Sequence, residues 1–243
     1  MSAGMSFVDE ASPRGEKRIT LDSRLSLIAE MVGRCACYAD IGCDHGRLGA
    51  YLLQNDRCER AQLTDISEPS LRKARALIGM LEMSDRAVFC VGDGANALAE
   101  PADVAVIAGM GGATIAHIIK SGRERLGSAR LILQPNVGAR ELREALVDCG
   151  YRISDERVVQ DGGRNYLVIA AEPGTADYSE RELVVGPVLL ARLPEEMKPY
   201  AVFRLRVARK ALRGASAAGD AESIKALSRE VGIWEEVCAC LQR

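Results

Sequence analysis

Between Cys35 and Gly150 the sequence alternates between short apolar runs and segments whose apolar residues recur at helical spacing. Cys35 to Ile41 is apolar and runs into Gly42, and Arg47 to Gln54 then repeats with a helical period. Ala61 to Thr64, Ala87 to Val91, Val104 to Ala108 and Ala129 to Leu133 read as further strands. Pro69 to Met80, Thr114 to Lys120 and Ala139 to Cys149 read as the helices among them. Such alternation implies a parallel sheet with helices on both faces. Ile153 to Val159 and Tyr166 to Ala171 flank Asp161-Gly162-Gly163, a turn sequence that predicts a closing hairpin. Ahead of the sheet, Leu25, Ile28, Ala29 and Val32 predict a helix that Asp22 or Ser23 can cap and Gly33 can end.

After Pro173-Gly174 the strand pattern stops, and Gly186-Pro187 marks a second break. Two helices are predicted beyond it, over residues 195–213 and 221–241. Ile224, Leu227, Val231, Trp234, Cys238 and Leu241 step by 3 and 4 along the second, as do Ala201, Leu205, Ala208 and Leu212 along the first. Joined through Gly214 to Asp220, they should pack as an antiparallel helical hairpin. The expected organisation is a loose tail over 1–20, an α/β domain over 21–174 and a helical hairpin over 186–243.

Composition matters here for what it excludes. No run of about eighteen apolar residues is present, and Met1 to Thr20 is polar and charged rather than built like a secretory leader, so a cytoplasmic protein without membrane association is expected. The eight cysteines are scattered, and their close pairs are Cys-x-Cys without a matching second knuckle, which reads as reduced structural thiols rather than a metal site. A net charge of −2 argues against attraction of nucleic acid by the whole surface but leaves room for a local basic patch. Nothing in the sequence fixes the oligomeric state, and a monomer is the default.

The chemistry gathers where the strands end. In Tyr38-Ala39-Asp40-Ile41-Gly42-Cys43-Asp44-His45-Gly46 an acid closes the first strand, and glycines turn the chain into a helix. Gly42 and Gly46 would let backbone approach a ligand. The acid precedes the first glycine and the glycines lie four apart, unlike the Gly-x-Gly-x-x-Gly of a pyrophosphate loop. An acid there suits a ligand with a positive amino group, such as the methionine end of S-adenosylmethionine, although a capped strand–helix turn would use the same residues. Asp65, with Ile66 beside it, closes the second strand where a ribose-binding acid belongs. Gly92-Asp93-Gly94 follows the third, where a carboxylate can accept from an adenine amine or simply form a turn. Gly109-Met110-Gly111-Gly112 leaves the fourth strand, and three glycines in four residues suggest a close approach. Gln134-Pro135-Asn136 leaves the fifth, and its amides could pair with the edge of a base. Of the two histidines, His117 lies among Ile115, Ile118 and Ile119 on a helix, whereas His45 sits in the first loop.

Taken together, Leu21-Asp22-x-Arg24-Leu25, Asp40-Ile41-Gly42-x-Asp44-His45, Gly92-Asp93-Gly94, Ile107-Ala108-Gly109-Met110-Gly111-Gly112 and Leu133-Gln134-Pro135-Asn136 resemble the bacterial tRNA (adenine-22-N1)-methyltransferase family, in order, from about Leu21 to Glu172. The resemblance implies a Rossmann-like class I methyltransferase domain followed by a C-terminal coiled coil. It places Asp40, Gly42, Gly46, Asp65, Ile66, Asp93, Gly94, Gly109 and Met110 around S-adenosylmethionine. Asp44, His45 and Asn136 would face the target adenine as catalytic residues, and no metal is required. Many members follow Asp-His with a small residue, tyrosine, leucine and proline. Here Arg47, Leu48 and Gly49 stand in that stretch, so Arg47 is expected to replace the tyrosine by stacking or by a phosphate contact. The tRNA partner should be gripped by Arg204, Arg206, Arg209, Lys210 and Arg213, which occur without an acid between them. Two other readings use the same loops: a methyltransferase for a small molecule or protein, and a noncatalytic RNA-binding protein. Deletion of the hairpin would separate the first from an RNA enzyme, and the intact Asp40, Asp65 and Asp93 argue against the second.

Overall fold

The computed structural model describes residues 8–9 and 18–242. Seven strands form one sheet: β1 (Cys35–Ile41), β2 (Cys58–Asp65), β3 (Ala87–Val91), β4 (Val104–Met110), β5 (Arg130–Pro135), β6 (Tyr151–Asp161) and β7 (Arg164–Pro173). Their order is β3-β2-β1-β4-β5-β7-β6, with β1 to β5 parallel and β7 antiparallel to both neighbours. The strand order reverses between β1 and β4, and at such a switch point two loops diverge and leave a crevice beyond the strand ends.

Alternation along β1 separates the two faces. Cys37, Ala39 and Ile41 enter one core with the helices α4 (Gly112–Ser121) and α6 (Ala139–Asp148). Tyr38 enters the other with α1 (Ser23–Val32), α2 (Arg47–Gln54) and α3 (Glu68–Gly79), where Leu52, Leu53, Leu63 and Ile78 are also enclosed. The Asp22 side chain caps α1 by accepting from Leu25 N–H at 2.7 Å, as expected. At the hairpin turn Gly162 and Gly163 both take positive φ, 52° and 75°, which the twist of the flanking strands demands. β2 starts three residues earlier than its apolar run. Glu59 and Arg60 are exposed on it and hide the strand from a hydrophobicity reading.

Most of the expected loose tail lies outside the described residues, but its end is not loose. Arg18–Ile19 pairs with Val8–Asp9, and buried Ile19 donates its N–H to Gln54 Oε1 at 2.8 Å.

A short α5 (Arg123–Leu126) follows α4 ahead of β5; past the sheet, the short helices α7 (Glu180–Val185) and α8 (Pro187–Arg192) precede the long α9 (Lys198–Ala218) and α10 (Ala221–Cys240). Sequence periodicity is too short to reveal α7, but Ser179 and Glu182 form a reciprocal capping box at its start. α9 runs five residues further than expected, through Gly214 to Ala218, and only Gly219 and Asp220 turn the chain; Gly219 is left-handed and the Asp220 side chain caps α10. Helix-forming Ala215, Ala217 and Ala218 outweigh the single glycine.

The base of this hairpin is not a detachable module. Tyr200, Ala201, Trp234 and Val237 belong to the same core as Leu146 and Ile153 of the α/β domain. A buried ion pair fastens the junction. Arg143 of α6 meets Glu156 of β6 at 2.9 Å and donates to the carbonyls of Leu183, Val184 and Val185, the last turn of α7. The second Glu156 oxygen accepts from the N–H groups of Val188 and Leu189, the first turn of α8. Both partners are thereby satisfied inside the protein, the condition under which a buried charge pair is tolerated. No helix among the described residues is long and apolar enough to cross a membrane.

Candidate active site

The loop after β1 is hung from the end of β2. Gly42 and Cys43 N–H both donate to the Thr64 carbonyl, at 2.8 and 3.0 Å, and Asp44 N–H donates to Asp65 Oδ2 at 3.0 Å. Asp44 is held in the left-handed region, with φ of 49°, an unusual state for a residue with a Cβ that its short polar side chain tolerates. Asp65 therefore does more than close a strand: one oxygen sets the loop, and the other accepts from Ser67 N–H at 2.8 Å.

The two glycines of the loop have different jobs. At Gly42 a Cβ would come within 2.2 Å of the Met110 ε-methyl, across the mouth of the crevice. Gly46 is buried on the opposite side, where a Cβ would meet Ala74 Cβ at 2.7 Å and Leu63 Cδ2 at 2.8 Å. Gly46, expected beside the cofactor, instead lets α2 seat against β2 and α3, and the reason is packing rather than ligand approach.

Between the ends of β1 and β4 lies a cleft of about 540 Å³ lined by Asp40, Gly42, Asp44, His45, Arg47, Gly109 and Met110 from the expected set. Asp22, the cap of α1, and Arg24 and Leu25 of its first turn close its far side, and the sequence reading gave them no role in a site. Asp65, exposed Ile66, exposed Asp93 and Gly94 continue along the carboxyl edge of the sheet outside this cleft, as an open shelf. Gly94, with φ of 58°, packs against Ile118.

Asp40 sits at the floor, almost fully enclosed. Burial pushes its carboxyl up from 3.8 to about 7; the neighbouring Tyr38 hydroxyl offsets part of this without closing a full hydrogen bond, and the charges of Asp65 and Asp44 add to the rise. Among the described residues no cation pairs with it. A buried carboxyl at the base of an open cleft, lacking a positive partner, is a seat for a ligand's cation.

At the mouth, His45 Nε2 lies 3.4 Å from Asp44 Oδ1 and 3.0 Å from Lys73 Nζ of α3. Lys73 is another residue that sequence reasoning missed; only its position on the helix after Asp65 pointed toward the site. Arg47 donates from Nη2 to the Thr20 carbonyl at 2.5 Å, fastening the chain ahead of α1 along the cleft rim. On the other wall Gln134 is buried and both of its amide atoms are engaged within the protein, so it cannot read a base edge as expected; Asn136 alone of that pair is exposed.

Residues 21–169 match the model of a methyltransferase domain. The chain is 35% identical over 179 residues to the tRNA (adenine(22)-N(1))-methyltransferase of Bacillus subtilis, a match that takes in 70% of this chain and 75% of that one. The chain belongs to the tRNA (adenine-22-N1)-methyltransferase family. The crystal structure of the B. subtilis M1A22 tRNA methyltransferase TrmK is similar over 90% of this chain and 99% of its own, with a TM-score of 0.81 and 29% identity. Sp1610 of Streptococcus pneumoniae, solved in complex with S-adenosyl-L-methionine, is similar over 90% of this chain and 100% of its own, with a TM-score of 0.77 and 27% identity.

In this member of the family, the helical hairpin redistributes the basic cluster of α9. Arg204 turns inward, pairing with Glu230 at 3.2 Å and lying over the Trp234 ring. Arg209 pairs with Glu235 at 2.7 Å. The acids absent from α9 are thus supplied by α10, and Arg204, expected to face RNA, is spent inside the hairpin. Arg206, Lys210 and Arg213 recur at steps of 4 and 3 and form one exposed stripe on the outer face, with Arg206 over Phe203.

Proposed function

We propose that this chain methylates N1 of adenine-22 in tRNA, with S-adenosylmethionine as donor. The observation that carries the reading is Asp40: a buried carboxyl without a cation partner among the described residues, at the switch point of a methyltransferase sheet, beneath a cleft whose other wall is polar. When bound, S-adenosylmethionine supplies a methyl group on a cationic sulfur, ready for displacement by a nitrogen lone pair.

Asp40 would hold the cationic methionine end through its carboxylate. Asp65 and Asp93 would accept from ribose hydroxyls and the adenine amine along the shelf, with Ile66 and Gly94 flanking and Gly42, Gly109 and Met110 bounding the reacting end. The adenine N1 lone pair is free at neutral pH, so alignment outweighs base catalysis. Positive charge appears on the adenine ring as the new N–C bond forms. The Asp44 carboxylate at the cleft mouth, with His45 beside it, would stabilise that charge. Asn136 would contact the base from the opposite wall. A target stacked within a folded tRNA must be turned out to enter the cleft. Arg206, Lys210 and Arg213, with Arg209 at their edge, would hold the phosphate backbone, and Arg47 would lie nearest the entering nucleotide. An enzyme of this kind works where tRNA is, in the cytoplasm.

The test is incubation of purified protein with labelled S-adenosylmethionine and unmodified bacterial tRNA, then digestion and mass spectrometry of the nucleosides. N1-methyladenosine at position 22 is the expected product. Cofactor binding with no transfer to any tRNA would overturn the reading.

A further inference from the structure

The base-facing wall is a closed ring of hydrogen bonds whose direction is fixed. At the end of β4 the register shifts between Ala108 and Met110, and Gly109 takes a φ of 78°. This bulge turns the Gly109 peptide groups out of the ladder, and side chains from the end of β5 satisfy them. Gly109 N–H donates to Gln134 Oε1 at 3.2 Å, and the Gly109 carbonyl accepts from Asn136 Nδ2 at 2.7 Å. Gln134 Nε2 donates to Asn136 Oδ1 at 3.1 Å and closes the ring. Arg24 of α1 enters from across the cleft, donating from Nη1 to the same Gln134 Oε1 at 2.9 Å while its guanidinium lies over the Tyr166 ring.

Amides can turn end for end, but this pair cannot. Gln134 Oε1 faces two groups that only donate, the Arg24 guanidinium and a backbone N–H. Its nitrogen must then point to Asn136, and the Asn136 nitrogen must point to a carbonyl that only accepts. Asn136 Oδ1 is left with one lone pair in an exposed residue beside the cleft. We propose that Arg24 and Gln134 are positioning residues that fix the polarity of the Asn136 amide, so that Asn136 Oδ1 accepts from the exocyclic amino group of the target base. The inference rests on adenine being the methyl acceptor.

Two substrates separate this role from a structural one: tRNA carrying adenosine at the target position, and the same tRNA carrying purine riboside there, which keeps the N1 lone pair and lacks the amino group. In the unaltered enzyme, loss of the amino group should lower kcat/KM by at least about tenfold. Gln134→Glu keeps the shape and the acceptor toward Arg24 but cannot donate to Asn136, so the ring cannot close. In it the penalty for the missing amino group should shrink to about twofold or less, with S-adenosylmethionine affinity unchanged. Arg24→Met should shrink the penalty for the missing amino group as well, and Arg24→Lys, which restores a donor, should recover part of the discrimination; these variants carry the test if Gln134→Glu does not fold. Equal penalties in the unaltered enzyme and in folded, cofactor-binding variants would overturn the proposal. Absence of adenosine methylation by the unaltered enzyme would instead overturn the functional reading on which it stands.

Discussion

Cofactor binding should be linked to the release of a proton from Asp40. In the free protein burial raises this carboxyl to about 7, so at pH 6 about one molecule in eleven carries the ionised form that a cationic ligand requires. The ligand's charge favours ionisation, and by linkage its affinity rises with pH until Asp40 is ionised without help. Between pH 8 and pH 6 the affinity should fall roughly tenfold, and below that by a further factor of about ten per unit until other groups intervene. The sign for stability is the reverse. Asp40 contributes stability to the free fold fully below the ordinary carboxyl value of 3.8, and this is lost as the pH rises through about 7, a change on the order of 4 kcal/mol. The cofactor therefore binds best where the empty fold is most strained at this position.

Isothermal titration of the protein with S-adenosylmethionine, in phosphate and in Tris at matched pH, measures both quantities. The two buffers differ in ionisation enthalpy, so the difference in observed heat counts protons released. Nearly one proton should be released at pH 6 and nearly none at pH 8.5. Asp40→Asn should bind more weakly throughout and lose this part of the pH dependence. Affinity that stays flat from pH 5.5 to 8.5 in the unaltered protein, with no buffer-dependent heat, would mean that Asp40 is already ionised in the empty cleft and would refute the argument.

Arg143→Met should destabilise the fold by about 3–5 kcal/mol in urea unfolding, because Glu156 would remain buried with only two N–H partners, and adding Glu156→Leu should restore part of the loss. Gly46→Ala should cost about 2 kcal/mol or more, read as a lowered thermal midpoint, since the new methyl meets Ala74 and Leu63 below 3 Å at a φ of 68°. Replacing Arg206, Lys210 and Arg213 together by alanine should raise the KM for tRNA and flatten its logarithmic salt dependence by roughly 2–3, whereas Arg204→Ala should lower stability and leave that slope nearly intact.

The contrast between Arg204 and its neighbours shows what a sequence can and cannot disclose. The strand-end acids Asp40 and Asp65 are legible because the chemistry and the local geometry coincide: an apolar run stops, an acid appears, and the chain turns into a helix, through Gly42 after Asp40 and at Ser67 after Asp65. The hairpin is legible because its 3-and-4 stepping is a local property of each helix. Which arginines of α9 remain available to a partner depends instead on the packing against α10, which brings Glu230 within reach of Arg204 and Glu235 within reach of Arg209, each across 26 residues of chain. The same holds for the two glycines of the first loop: both lie in the turn from β1 into α2, and only the neighbours brought by β2, α3 and β4 make one a packing residue and the other a cleft residue. Arg24 is the extreme case. It meets Gln134 over a separation of 110 positions, because α1 folds back beside the ends of β4 and β5, and nothing within either segment announces the pairing. Residues that bind through their own loop can be read from sequence, whereas residues that position others are set by packing between distant elements. The polarity of the Asn136 amide belongs to the second kind, since the groups that orient it come from α1, β4 and β5 together.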